Sequence, residues 1–381
     1  MNGKDEFSRL VLNLGAAREN YRYFRSLLEP GTRLLVLVKA NGYGHGDVQF
    51  ASMMQSLGAD YLAVAYPVEG ISLRRQGVRL PVIVLTAGTD FNDRIIDHRL
   101  EPSIPNMFDL ETFAADVRRR GLSGYPVHIK LDTGMHRLGF MEDELPALSD
   151  FLRNHPEIRI QSMFSHLCVA EDPSEDSFTM GQIHLFERMT GEVAGAIGYM
   201  PMRHILNSAG IQRFPRYQFD MVRLGVGAYG ISALPDVKLA PVASLRCKVL
   251  QVKTLSEGET VGYGRHGMAR EGTVIATIPV GYADGIDRHL GQGRASFSVN
   301  GHRAPTIGNI CMDMCMIDIT DMPTVEVGSE VEIFGEKNPI EELAACAGTI
   351  PYELTCAVSK RVPRVYFKGG KEVDRELMLR L

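Results

Sequence analysis

Several polar side chains stand where short apolar runs end, and together they suit chemistry on a small anionic molecule. Lys39 closes the run LLVLVK and is followed by Ala40-Asn41-Gly42-Tyr43-Gly44-His45-Gly46, a glycine-rich turn that lets the backbone come close to a ligand. A lysine amine can serve as a base or as a nucleophile toward a carbonyl. Lys130, Asp132 and Arg137 follow a later run, His166 ends another, and Asn207 and Ser208 end a third. Asn207-Ser208-Ala209-Gly210 and Gly225-Val226-Gly227 offer hydroxyl, amide and open backbone N–H donors of the kind that hold phosphate. A phosphorylated cofactor beside a lysine points to pyridoxal 5'-phosphate (PLP). Taken singly, each segment also fits turn glycines and helix caps; their convergence on one rim favours a site.

That convergence depends on the elements carrying these residues. From about residue 33 to 230, eight apolar runs alternate with amphipathic stretches: 34–39, 61–65, 82–86, 102–104, 127–131, 160–167, 204–207 and 220–226. Such alternation is the pattern of parallel βα units, and eight of them predict an α/β fold with an N-terminal (β/α)8 TIM-type barrel. After residue 240 the pattern becomes Val/Thr/Ile alternation broken by turn pairs such as Glu257-Gly258 and Asn300-Gly301, which predicts a mostly β C-terminal domain. Ala240-Pro241 marks the boundary, giving domains at 10–240 and 241–381, with one short helix at 339–347 in the second.

The chain has 381 residues, 45% hydrophobic and 23% charged, with a formal net charge of -5. That charge supplies no basic field for nucleic acid or an anionic membrane, so a small-molecule partner is expected. The start, MNGKDEFSRL, is polar, and no run approaches the roughly 20 apolar residues of a membrane span, which predicts a cytoplasmic protein. The six cysteines lack the C-x-x-C spacing of a zinc site. Cys311 and Cys315 in CMDMC have no accompanying His pair and read as small strand residues, so no metal is expected.

The motifs resemble those of the alanine racemases, PLP enzymes in which a barrel precedes a β domain. VKANGYGHG at 38–46 resembles the family's PLP-lysine motif, KLDTGMHRLGF at 130–140 its arginine motif and SHL at 165–167 its histidine strand. NSAG at 207–210, DMVRLGVGAYG at 220–230, VGYGR at 261–265, VGYADG at 280–285 and NICMDM at 309–314 continue the resemblance in order. Three positions depart from it: Leu224 where proline is common, His136 where glycine is common, and LNL at 12–14 in place of an acidic I-D-L.

The resemblance implies a racemase that interconverts L- and D-alanine and supplies D-alanine for peptidoglycan. Racemisation without large movement calls for two bases flanking one carbon; the resemblance makes these Lys39, which also carries PLP, and Tyr263. Arg223 would face the ring nitrogen, with His166 orienting it. Arg137 would meet the cofactor's phenolic oxygen and the substrate carboxylate, assisted by the Met312 N–H. Tyr43, Asn207, Ser208, Gly225, Val226 and Tyr352 complete the cofactor set, with the phosphate held by all of these but Asn207, while Tyr282 and Cys311 belong at the substrate entrance. Lys130 resembles a lysine carbamylated in several members. Because Tyr263, Tyr282 and Met312 lie in the β domain, the resemblance also implies a homodimer with shared active sites. Other readings stay open: a PLP barrel decarboxylase, against which the carboxylate-binding arginine counts; a PLP carrier, against which Tyr263 and residues 241–381 count; and racemisation of serine, whose extra hydroxyl a small pocket rejects weakly.

Overall fold

The computed structural model describes residues 7–376. The polar start at residues 1–6 and the end of the second expected domain, 377–381, lie outside the described residues. Strand β1 (Ser8–Asn13) opens the chain, and the Asn13 side chain accepts hydrogen bonds from the Gly15 and Ala16 N–H groups, capping the helix Leu14–Ser26. Asparagine caps a helix about as well as aspartate. The missing acid of the 12–14 segment therefore costs this cap little.

The eight expected runs all form strands: β2 (Arg33–Leu37), β3 (Tyr61–Val64), β4 (Val82–Val84), β5 (Glu101–Ile104), β6 (Tyr125–Lys130), β7 (Ile158–Phe164), β8 (Met202–His204) and β9 (Met221–Leu224). They make one parallel sheet, and bonds from Asp220 N to Arg203 O and from Arg223 N to Leu206 O join β9 to β8 and close it into a barrel. Leu34, Leu35 and Val36 of β2 are wholly buried, each contributing roughly 1.5–3 kcal/mol by leaving water. Several strands end earlier than their apolar runs. Lys39, His166, Asn207 and Val226 thus sit two or three residues beyond a strand, in the loops over one rim.

The barrel interior is divided. Leu35, Tyr61, Ala63, Ile83 and Met221 form a small apolar cluster there. On the side of β5 to β9 lie the polar groups Glu101, His128, Ser162, His204 and Arg223, joined by hydrogen bonds.

The remaining strands are β10 (Ala243–Lys248), β11 (Gln251–Leu255), β12 (Thr260–Val261), β13 (Gly267–Met268), β14 (Thr273–Ile278), β15 (Ser296–Val299), β16 (His302–Pro305), β17 (Cys315–Asp318), β18 (Glu330–Phe334), β19 (Arg364–Lys368) and β20 (Lys371–Glu376). The largest sheet runs β16-β15-β18-β10-β1-β19-β20. Its inner strand β1 lies between β10 and β19, antiparallel to β10 and parallel to β19. A first unit starting at residue 10 would assign this strand to the barrel. The pairing assigns it to the second sheet, because Leu10 and Leu12 bury their side chains against Leu245, Phe334 and Tyr366. The expected helix is present at Ile340–Ala347, and a second, unanticipated one follows at Pro351–Ala357. At the boundary, the Asn20 amide donates to Ala240 O and accepts from Ala240 N, tying the crossing segment to the first helix.

Candidate active site

The Lys39 loop is wound left-handed. Ala40, Asn41, Gly42, Tyr43 and Gly44 all have positive φ, between 52° and 86°. Three of these carry a Cβ, for which the left-handed conformation costs roughly 1–2 kcal/mol each. Bonds made around the loop offset that cost. Glu69 accepts from Ala40 N at 2.7 Å with one oxygen and from Ala65 N and Tyr66 N with the other. Arg364 Nε donates to Gly44 O, Tyr366 Oη to His45 O and Tyr229 Oη to Leu37 O. Arg364 and Tyr366 belong to β19, so the second sheet clamps the loop that presents the barrel's lysine. Glu69 lies three residues after Tyr66 with Pro67 between them, a helix-start pattern that could have marked it in the sequence.

Lys39 is mostly buried, and its amine is held below the usual lysine range, first by loss of water and next by the Arg137 charge. Arg137 sits in an exposed loop folded over Asp132, whose Oδ1 accepts from the N–H groups of Gly134, Met135 and His136. His136 adopts φ 52°, a left-handed conformation that glycine takes without strain. Burial first and the Arg223 charge next lower the Lys130 amine to about 7.

Arg223 is nearly inaccessible and its fork is fully engaged. Nη1 donates to His204 Nδ1 at 3.0 Å and His204 O at 3.1 Å; Nη2 donates to Ser165 O, Ile205 O and His166 Nδ1 at 2.7, 2.9 and 3.1 Å. Burial brings its guanidinium down to about 9, which leaves it charged at neutral pH. His166 and His204 are pushed far below the usual imidazole range by burial and then by Arg223, so both are neutral. The bond from Arg223 to His166 is the contact expected from the sequence. His204 was not anticipated.

The third part of the rim is a hydroxyl-lined hollow. Ser208 Oγ accepts from Gly225 N at 3.0 Å and Gly227 N at 3.4 Å, and Asn207 caps the short helix Ser208–Arg213 through Gly210 N. A Cβ at Gly225 would stand 3.2 Å from Tyr43 Oη and 3.9 Å from Ser208 Oγ, so both hydroxyls face the same small space. Val226 follows directly. Tyr352 and Cys356, on the helix Pro351–Ala357, reach the same region: both perturb the Tyr43 hydroxyl, and Cys356 also perturbs Lys39. Cys356 had no signal in the sequence because its helix had none.

Of the five residues expected from the β domain, four, Tyr263, Tyr282, Cys311 and Met312, form a separate group. Tyr282 N donates to Cys311 O and Ala283 N to Met312 O, while the Tyr263 carbonyl accepts from Asn309 Nδ2. Arg361 binds Asp284 with two bonds and Asp313 with a third, bracing this turn. Tyr263 is 74% exposed and Met312 53% exposed. Among the described residues, the side chains shifting Lys39 are Arg137, Cys356 and Glu69 and include none of these four.

The structure thus defines a barrel enzyme with a lysine-centred, cationic rim and a hydroxyl-lined hollow, joined to a β unit bearing exposed aromatic side chains. A model of the alanine racemase N-terminal domain matches residues 12–233, and one of the alanine racemase C-terminal domain matches residues 242–366. The chain is 38% identical to alanine racemase 1 of Clostridium acetobutylicum over 89% of this chain and 90% of that protein. It is 35% identical to the alanine racemase of Desulfovibrio desulfuricans over 93% and 96%. A solved alanine racemase of Clostridium difficile superposes with a TM-score of 0.93 at 30% identity, covering 98% of this chain and 99% of that one. That of Bacillus anthracis with bound L-Ala-P superposes with a TM-score of 0.90 at 28% identity, covering 98% of each. The chain belongs to the alanine racemase family, and so to the isomerases.

Proposed function

We propose that this chain binds PLP on Lys39 and interconverts L- and D-alanine with Lys39 and Tyr263 as the two bases. The observation that carries the reading is the meeting of a desolvated Lys39, Arg137 and the Tyr43–Ser208–Gly225 hollow on one rim. The fit to PLP is chemical. Four cations, Lys39, Lys130, Arg137 and Arg223, interact with the buried His166 there, and an anionic phosphate and substrate carboxylate would balance them. Bound PLP withdraws electrons from Cα and so makes its C–H bond acidic.

The protein's part is positioning and proton transfer. Ser208, Tyr43, Tyr352 and the backbone of Gly225 and Val226 would hold the phosphate, and Asn207 fixes the loop through Gly210 N. Arg223, kept in place by His166, would face the ring nitrogen of bound PLP; a guanidinium keeps its protons and would leave that nitrogen unprotonated. Arg137 binds the carboxylate, aided by the Met312 N–H. The depressed basicity of Lys39 leaves more of its amine free to accept the α-proton of D-alanine, while Tyr263 serves L-alanine. Tyr263, Tyr282, Cys311 and Met312 act on the partner's rim in a homodimer, and the product is D-alanine for peptidoglycan, made in the cytoplasm.

The test is a chirality assay of purified protein with each enantiomer, with and without added PLP, followed by borohydride reduction and peptide mapping. Racemisation should require PLP, and the pyridoxyl group should map to Lys39. Tyr263→Phe should keep its fold and bound PLP yet lose racemisation in both directions by about 100-fold or more. A label on another lysine, or near-normal racemisation by that variant, would refute these assignments.

A further inference from the structure

Four hydrogen bonds cross the barrel from the start of β5 to Arg223. Arg223 Nη1 lies 3.0 Å from His204 Nδ1, His204 Nε2 2.9 Å from Ser162 Oγ, Ser162 Oγ 2.6 Å from His128 Nδ1, and His128 Nε2 2.8 Å from Glu101 Oε2. The three middle groups are at most 1% exposed, and the Glu101 side chain is 15% exposed. Each link has only one workable direction. A guanidinium can only donate, so His204 Nδ1 accepts. The neutral imidazole then carries its proton on Nε2 and donates to Ser162 Oγ. Among the described residues, Ser162 Oγ has two partners, both histidines, so its own proton goes to His128 Nδ1. That leaves His128 Nε2–H to donate to the carboxylate, which can only accept.

We propose that Glu101, His128, Ser162 and His204 are a one-way positioning relay that locks Arg223 in orientation and ties it to a counter-charge at the barrel's far end. No proton moves along it; its role is static order. A second, independent feature is the irregular ladder between β6 and β7. Val127 pairs with Ile160 and His128 with Ser162, so Gln161 is an extra residue in β7. In an unbroken ladder His128 would face Gln161. The bulge is what puts the hydroxyl beside the imidazole, the re-aiming that such insertions allow. Buried polar groups are costly unless fully satisfied, and a satisfied chain specifies one arrangement. Any tilt of the His204 ring would rotate the plane of the guanidinium it anchors.

This inference rests on the proposed facing of Arg223 to the PLP ring nitrogen, but its first test does not. In cofactor-free protein labelled with 15N-histidine, His128 and His204 should both be neutral Nε2–H tautomers, and Ser162→Ala should alter the resonances of both. A proton on His204 Nδ1, or a doubly protonated His128, would overturn the relay whether or not the protein binds PLP. With PLP added, Ser162→Ala should weaken cofactor binding by about three- to tenfold, the worth of one hydrogen bond, and raise transamination relative to racemisation. Ser103→Ala, a buried β5 serine opposite His128 that is outside the relay, is the control and should do neither. Glu101→Ala, at the more open end, should repeat the Ser162→Ala result if that variant folds poorly, and Glu101→Gln, which keeps an acceptor, should restore binding. If the Ser162 and Glu101 variants differ from wild type only in melting temperature, the relay serves stability and the proposal fails.

Discussion

At the scale of single residues, the site is a set of basic groups whose basicity burial has lowered. Lys130 illustrates the consequence. Its amine titrates at about 7 in the folded chain against 10.5 for the free side chain, because burial and Arg223 disfavour its charge. A lysine with a lowered folded value destabilises the protein while charged, so this residue's cost is full below about pH 7 and is relieved as pH rises toward the unfolded value. The same neutral amine can attack CO2. With 13C-bicarbonate, a carbamate NMR signal should grow from about pH 6 to about pH 8 and be absent from Lys130→Met. A signal of equal size in the variant would place the carbamate elsewhere. The modification would put an anion beside Arg137 and draw its fork into alignment.

At the scale of elements, the lysine is presented by a strained loop held between two units. Gly44 shows how closely they meet: a Cβ there would fall 2.0 Å from Thr355 O, on the helix Pro351–Ala357, at a φ of 86°. Gly44→Ala should therefore push that helix, with Tyr352 and Cys356, away from Tyr43. The expected cost is about 2–4 kcal/mol of stability, from left-handed strain plus displaced packing. PLP binding should weaken with it. Calorimetry and cofactor titration measure both, and a variant that melts at the wild-type temperature would show that the helix is free to give way. The glycine spacing was legible in the sequence, as was the close approach it permits. The left-handed winding through Ala40, Asn41 and Tyr43 was not, because those residues favour it only when Glu69, Arg364 and Tyr366 hold the backbone.

At the scale of the molecule, the two units are interleaved. The second sheet has β1 between β10 and β19, so residues 241–376 alone lack the strand that joins these two. The candidate bases are also divided: Lys39 lies within the barrel rim, and Tyr263 projects from the β unit in an exposed turn. If two chains complete each other's sites, mixing Lys39→Ala with Tyr263→Phe should restore activity that neither has alone. Random pairing makes half the dimers mixed, each with one intact site, so about a quarter of wild-type activity is expected. No recovery, with subunit exchange demonstrated by mass, would refute sharing and leave the barrel half of the site untouched.

The sequence alone determined the eight strands, the switch to a β unit, the lysine with its glycine turn and the ordered motifs, since each is written in contiguous residues as periodicity or spacing. Arg223 beside His166 was also readable, through resemblance. Tertiary structure alone decided which sheet takes Ser8–Asn13, because a six-residue alternating strand carries no record of its partners. It likewise decided that Glu101, His128, Ser162 and His204 meet, since they stand 27, 34 and 42 residues apart along the chain. Each looked like an ordinary polar residue in its own strand. Only barrel closure and one extra residue in β7 bring them into a line ending at Arg223, where burial without partners would cost too much to persist.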